Sequence, residues 1–464
     1  MPNPVIEQLE DEPWSEEHLS YLYAEALKVP APVIPGATRR HAFWMHGVRQ
    51  GEWNNQELND NASLLLARHH TVIHNATWGS TEQREKANAI IKKAKRHNKG
   101  LAILGYVPTN VPPGPTAEGS LQKLLLDCPE EFQYKVGGVW RPPPKQGWLH
   151  IDFLKDGAPE WWYETVNGYL EREGFYTGIC LDQMFAAHHV SDWPDKKYAV
   201  SHREGKVKLL QYIRSQRPYM RVGIIFGPWE EDELDLDMIG LATDFIEEGA
   251  LTKHRPPMRL ARAADRYMEL GYYKEATRPV SLLATKVRER DDEMPLVDPL
   301  EDLYGYALAC IADGSWSVDG GGNGGAGKSH TELYWFPWHN AELGHPLHDP
   351  EISAGGDIVK REFMNGTVIA HTGGIQKPAE NGEYFPRWRS DIERIGVHRR
   401  VSFRTPKWSY RNQEMVDEIW LRAWEADVLT TEAPTEIYEP NYVPPSIAPA
   451  VAQYKRELRG EQVD

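Results

Sequence analysis

The chain is poor in cysteine, in positive charge and in long apolar runs. Three cysteines, Cys128, Cys180 and Cys310, in 464 residues cannot build a disulfide framework. They form no CxxC pair that would signal zinc, and each reads as a small buried apolar residue. Lys and Arg number 52 against 68 Asp and Glu, a net charge of −16. Such a balance disfavours a phosphate backbone, so no nucleic-acid partner is expected. No apolar run approaches the ~18 residues of a membrane helix, which argues against a membrane partner. The opening stretch MPNPVIEQLEDEPWSEEHL is acidic and lacks the basic and apolar regions of an export signal. A cytoplasmic or particle-associated protein is the expectation.

What the chain does have is ordinary globular material and a surplus of aromatic rings. Hydrophobic residues make up 41% and charged ones 26%, enough for a large core. Tryptophan is the outlier, with 17 residues beside 21 Tyr and 11 Phe. Part of that surplus belongs to the core. Flat rings also pack against sugar faces, which keeps a carbohydrate ligand in view.

From about residue 38, short β-like runs alternate with helical stretches. The runs are His41–Gly47, Thr71–Thr77, Leu101–Val107, Thr177–Asp182, Arg221–Gly227, Ala242–Glu248, Pro279–Lys286 and Ser315–Val318. Helical stretches are read at about Asn55–Arg68, from a capping box at Ser80 and Gln83 to a stop at Gly100, and at Pro159–Glu173. Three more are read at Tyr198–Gln216, Pro257–Leu270 and Leu300–Ala312. Strand–helix alternation implies parallel strands with crossover helices. Eight such units fit a closed α/β fold, the (β/α)8 TIM barrel, better than an open sheet.

The expected organisation is an N-terminal extension over 1–37 and a barrel over 38–330. A barrel-closing segment with a small β-hairpin appendage follows over 331–375. An extension with a Pro-rich tail covers 376–464, and both extended terminal segments should pack outside the barrel. Asn365-Gly366, between Val359–Met364 and Thr367–His371, predicts a hairpin with a type I′ turn. The prolines after Thr430 suggest a tail that is mobile or lies along another surface. Homo-oligomerisation or assembly through that tail is left open.

Gly322–Ser329 (GNGGAGKS) matches the phosphate-cradling pattern GxxxxGK[ST]. That chemistry needs a helix directly after the loop, and Pro337 leaves no room for one. The match reads as an accident of a glycine-rich loop, and no cofactor is expected. Histidines recur near strand ends, at His46, His74 and His188. Without close HxH or HxxxH spacing they read as substrate-binding or surface groups rather than metal ligands. Trp44, Trp78 and Trp229 fall at or just beyond strand ends, as they would in a sugar-binding cleft.

The carboxylates carry more weight. Asp182 ends TGICLD and Glu248 ends TDFIEE, each five positions after its threonine. Period-two alternation turns Asp182, Cys180 and Gly178 one way, and Glu248, Ile246 and Asp244 likewise inward. An acid at the C-terminal end of a barrel strand reads as catalytic. The bland alternative is a pair of rim salt bridges.

The order FWMHG, GICLD, DFIEEG, YGYALACIADGSWSV, WHNAELGHPL and VKREFMNGTVIAHTGG resembles the hypothetical glycosyl hydrolase family numbered fifteen and neighbouring glycoside hydrolase barrels. The closing segment is the most specific part: Leu343-Gly344 through Pro346, then Arg361 through Val368. The likeness covers about residues 40–375. It implies a (β/α)8 barrel with acids ending the fourth and sixth strands, roles that fall on Asp182 and on Glu248 or Glu247. Where such proteins more often continue with Asn-Pro this chain has VIAHT, and its Pro-rich insertion and C-terminal extension are unmatched. The expected activity is glycoside hydrolysis of a neutral or weakly charged oligosaccharide or polysaccharide. Asp182 would be nucleophile or charge stabiliser and Glu248 the general acid/base. The alternative is a non-catalytic carbohydrate-binding or structural, particle-associated barrel protein.

Overall fold

The computed structural model describes residues 42–45, 56–75, 81–111, 118–134, 149–182, 184, 196–218, 220–225, 238, 241–248, 280–284, 299–312, 314–317, 335–353, 357–372, 398–437, 452, 454–456 and 458–459. Its first layer is an eight-stranded parallel sheet. The early strands are β1 Ala42–Met45, β2 Thr71–Asn75 and β3 Ala102–Pro108, with a small antiparallel pair, β4 Asn110–Val111 and β5 Leu149–His150, inserted after β3. Then come β6 Gly178–Asp182, β7 Arg221–Ile225, β8 Asp244–Glu248, β9 Val280–Ala284 and β10 Ser315–Ser317. The sheet order is β1-β2-β3-β6-β7-β8-β9-β10, so strands sit beside one another in the order the chain makes them. Each of the eight coincides with a predicted run.

Connecting helices are α1 Gln56–Ala67, α2 Thr81–His97, α3 Leu121–Leu126, α4 Ala158–Glu173, α5 Lys196–Gln216 and α6 Pro299–Ile311. In α2 the predicted stripe Ala87, Ile90, Ile91 and Ala94 is buried against Leu65 and Leu66 of α1 and Val72 and Ile103 of the sheet. Its stop is Asn98 rather than Gly100. The Asn98 side chain donates to Ala67 O at 2.8 Å and accepts from Gly100 N at 3.0 Å. The predicted helix Pro257–Leu270 and the Ser80 cap lie outside the described residues.

Alternation along the strands splits the side chains into two layers. Val72, Ile103, Ile179, Leu181, Val222 and Ile224 face the helix layers. Ile73, Leu104, Tyr106, Cys180, Ile225 and Ile246 meet one another on the other face. The sheet is curled. Arg221 Nη1 on β7 reaches Thr71 Oγ1 on β2 at 3.0 Å. Those strands are three places apart, about 14 Å in a flat sheet at ~4.8 Å per strand. The two edge strands, β1 and β10, also approach each other.

The second layer exceeds the small hairpin appendage expected. It is a six-stranded antiparallel sheet in the order β11-β12-β13-β16-β14-β15. Its strands are β11 Glu351–Ile352, β12 Ile358–Phe363, β13 Gly366–His371, β14 Arg399–Ser409, β15 Glu414–Leu421 and β16 Ala426–Thr430. Helix α6 lies between the layers, against β9 and β10 on one side and β12, β13 and β16 on the other. A buried carboxylate fastens it there. Asp302 accepts Trp316 Nε1 at 2.7 Å and Trp338 Nε1 at 2.5 Å, with His339 Nε2 at 3.0 Å.

The β12–β13 hairpin is present, but its turn differs from the expectation. Phe363 pairs with Gly366, so the loop residues are Met364 and Asn365. None of Met364, Asn365 and Gly366 has positive φ, which excludes type I′. The turn is held from outside: Asn365 N donates to Leu343 O at 3.1 Å and Thr431 N to Asn365 O at 3.2 Å. Gly366 is required by proximity, since a Cβ there would lie 2.2 Å from Leu429 O. Near the end of the chain, Tyr454 is buried against Trp338, with ring centroids 5.8 Å apart, and donates to Arg411 O.

Candidate functional site

The C-terminal end of the parallel sheet gathers a group of buried ionisable side chains. Strands β3 and β6 are neighbours in register, Tyr106 opposite Cys180 and Pro108 opposite Asp182. The Tyr106 hydroxyl donates to Asp182 Oδ2, with the residue only 7% exposed. Asp182 is also clamped through its backbone: its carbonyl accepts Thr109 N at 3.3 Å and Thr109 Oγ1 at 2.9 Å. One residue further, β4 turns aside to pair with β5, Asn110 opposite His150. The His150 ring meets His202 of α5, with centroids 6.0 Å apart. One helical turn beyond His202 is Lys206, buried at 1% exposure.

Burial dominates the electrostatics of this group. It pushes Lys206 down to about 7, against the pull of the Asp182 charge in the other direction. It lowers His150 to about 3, with the Lys206 charge adding to the effect. His202 is held well below the ordinary imidazole range by burial first, then by Lys206 and His150. Both imidazoles are therefore neutral at physiological pH.

Sequence reasoning missed Tyr106, His150, His202 and Lys206. A signal for Lys206 was present. Lys206, Leu209, Leu210 and Ile213 follow the i, i+3, i+4, i+7 spacing of an apolar stripe, and all four are buried. A lysine in that stripe has to find a charge partner or change protonation state.

The residues expected at the site fare differently. Glu247 and Glu248 end β8, opposite Leu283 and Ala284 of β9; their side chains lie outside the described residues. Trp44 is on β1 opposite Ile73, its side chain likewise outside. His46, Trp78, His188, Trp229 and the loop Gly322–Ser329 lie wholly outside. His74 does not join the group. It projects into the helix-facing layer, where its Nδ1 lies 2.8 Å from the Tyr176 hydroxyl and its ring packs on Phe175. Burial lowers it to about 3, so it is a packed, neutral imidazole.

Other acids serve the scaffold. Asp244, at the opposite end of the sheet, is bound by the Arg221 guanidinium and by Thr243 Oγ1 at 2.7 Å. An ion pair at the N-terminal face of such strands reads as stability. The three cysteines are free and buried, and burial pushes the Cys128 thiol up to about 12. Among the described residues, no three His, Cys, Asp or Glu side chains are placed to hold a metal ion. Among them, too, no helix is long and apolar enough to cross a membrane.

No known family model matches the chain. No curated protein matches it in sequence either. Solved structures with a similar course of chain include an Anoxybacillus alpha-amylase, at 9% identity and TM-score 0.45 over 85% of this chain and 99% of that one. An alpha-amylase from Geobacillus thermoleovorans gives 10% and 0.42, over 84% and 98%. A GH36 alpha-galactosidase from Geobacillus stearothermophilus gives 9% and 0.42, over 89% and 58%. Overlaps this loose carry no argument about activity.

Proposed function

We propose that the chain is a glycoside hydrolase on a closed (β/α)8 barrel, with Asp182 and Glu248, or Glu247 in its place, as the working carboxylates. The observation that carries this reading is that β6 and β8 both end on acids at one end of a parallel sheet, with a single strand between them. Two strand spacings put the backbones about 10 Å apart, and side chains leaning together across that gap span the ~5–9.5 Å separations of glycosidases. The register adds a detail. Leu181 is level with Ile224, and Ile224 with Phe245, so Glu248 stands about two residues further toward the rim than Asp182.

The deeper acid is the better candidate for nucleophile or charge stabiliser, because the Tyr106 hydroxyl donates to it. The outer one is suited to protonate the leaving oxygen and later activate water. The substrate is a neutral or weakly charged oligosaccharide or polysaccharide, in keeping with the net charge of −16. Trp44, Trp78 and Trp229, with His46 and His188, are proposed to line the cleft.

The test is a hydrolysis screen against a panel of neutral glycans with wild type, Asp182→Asn and Glu248→Gln. Turnover by wild type, suppressed in both variants with folding intact, supports the reading; near-normal kcat in both sinks the assignment. A second reading is favoured by the burial of both Asp182 and Lys206 at this end of the sheet. On that reading these buried charges are structural and the chain binds carbohydrate or builds a particle without cleaving anything. Loss of folding in Asp182→Asn, with no turnover by wild type on any glycan, would support it.

A further inference from the structure

The hairpin of β14 and β15 has two unlike faces. Val401, Phe403, Val416, Ile419 and Leu421 turn inward, onto Ile369 of β13 and Leu429 of β16. The register sets Arg400 opposite Trp420 and Ser402 opposite Glu418 on the other face, away from that core. Trp420 is 53% exposed there, and among the described residues it is the one exposed aromatic ring.

Its neighbours hold the ring in place. Trp420 Nε1 donates to Glu418 Oε1 at 3.0 Å, and Arg400 Nε donates to Glu418 Oε2 at 2.6 Å, with Nη2 on the same oxygen. Arg400 Cζ lies 6.0 Å from the indole centroid, the outer limit of a cation–π contact, so the guanidinium flanks the ring instead of covering it. The Arg400 and Glu418 side chains are themselves 57% and 35% exposed. Solvent therefore meets a fixed aromatic plane beside a guanidinium with further N–H groups to offer and a carboxylate with lone pairs still open.

We propose that this face is a carbohydrate-binding site separate from the Asp182 group, where the Trp420 indole carries a neutral sugar ring of an oligosaccharide or polysaccharide. The C–H face of the sugar packs on the indole, while its hydroxyls accept from Arg400 and donate to Glu418. The ligand is neutral because the two charges beside the ring already balance each other. A second copy of the chain suits this face less well. It would dry the Arg400–Glu418 pair, and charged groups are depleted from the cores of protein interfaces for that cost. Sugar hydroxyls replace the water they displace and keep both groups hydrogen-bonded. Only the class of ligand is shared with the hydrolytic reading above, and binding here needs neither Asp182 nor Glu248.

The experiment labels the tryptophan indoles with 15N and assigns the Trp420 N–H resonance by NMR from its loss in Trp420→Phe. Titration with a panel of neutral oligosaccharides should move that resonance to saturation. Arg400→Ala removes a charged donor to the sugar and should weaken the affinity about fivefold or more. Trp420→Ala should lose retention on an immobilised form of the same glycan, with an unchanged thermal midpoint and unchanged turnover of any small soluble substrate. A Trp420 resonance that no glycan moves at tens of millimolar overturns the proposal. So does an affinity equal in wild type and Arg400→Ala, which would put the ligand elsewhere. A resonance that shifts with protein concentration alone, together with a dimer in sedimentation that Trp420→Ala abolishes, makes the face an interface between copies and overturns it too. Saturable shifts without turnover by wild type keep this site and sink the hydrolytic reading. Turnover with a Trp420 resonance that never moves does the reverse.

Discussion

Substituting Asp302 by Asn tests what joins the two sheets. The Asp302 side chain is fully buried and accepts from both indoles, with the third donor, His339 Nε2, facing Oδ2. Phe336 N donates to His339 Nδ1 at 3.2 Å, which leaves the imidazole proton on Nε2, toward Asp302. An amide keeps one acceptor and turns an NH2 toward the other donors. One buried indole N–H is then unsatisfied, at about 1–3 kcal/mol, and the remaining bonds lose their charge-assisted strength, about 1 kcal/mol each. The neutral side chain is cheaper to bury, which offsets part of this. The donors outnumber the remaining acceptor, so destabilisation wins, by about 2–4 kcal/mol. The assay is urea denaturation followed by near-UV circular dichroism, in which Trp316 and Trp338 report on their own environment. Trp338→Phe alone should cost less, about 1–2 kcal/mol. The pair together should cost less than the sum, because the amide no longer faces that donor. An Asp302→Asn midpoint equivalent to within about 0.5 kcal/mol of wild type would refute the reasoning.

Asp427 gives a pH signature. Burial raises it to about 6 despite bonds from Ser409 Oγ at 2.6 Å and Arg411 N at 3.1 Å. Its folded pKa lies above the unfolded value near 4, so the folded state holds the extra proton between them. Its contribution to stability is therefore present below about pH 4 and falls by about 3 kcal/mol as pH rises through 6. Asp427→Asn should flatten that segment of the melting temperature against pH, and an unchanged slope would count against the assignment. Gly366→Ala drives a Cβ into Leu429 O and should cost at least about 1–3 kcal/mol, visible as a lower thermal midpoint. Tyr106→Phe removes the donor to Asp182 Oδ2 and should cost about 1.5–3 kcal/mol in denaturant if that carboxylate is charged; a neutral result would mean it is not.

The parallel sheet was legible because its strands are short apolar runs, each but the last read as followed by helical sequence, a local pattern that the described strands and helices repeat rather than override. The antiparallel sheet hid for physical reasons. Strands β14 and β15 are exposed along much of their length, so alternation is faint. Pro406 interrupts β14, and the structure accommodates it where the register to β15 shifts, between Ser402 and Lys407. A proline at such a bulge breaks no ladder bond, but in sequence it reads as the end of a strand. Asn365-Gly366 misled in the opposite way. The dipeptide is the strongest hairpin signal, yet here the glycine is chosen by a neighbouring backbone sixty-three residues away, and positive φ plays no part.

For the site, strand ends located Asp182, and partners say what kind of acid it is. Five aspartates are buried among the described residues: Asp182, Asp244, Asp302, Asp357 and Asp427. Asp244 and Asp357 are tied to Arg221 and Arg399, cations that do not give up their proton in water. Asp302 is tied to two indoles and to an imidazole whose other nitrogen is occupied. Asp427 is tied to a hydroxyl and a backbone amide. Those partners fix each carboxyl in place. Asp182 has a phenol on its oxygen and a lysine, lowered to about 7, within reach of its charge. Neither group could be inferred from TGICLD itself. Tyr106 comes from the neighbouring strand and Lys206 from α5, so the surroundings of the strand end are decided by contacts that only the folded chain makes.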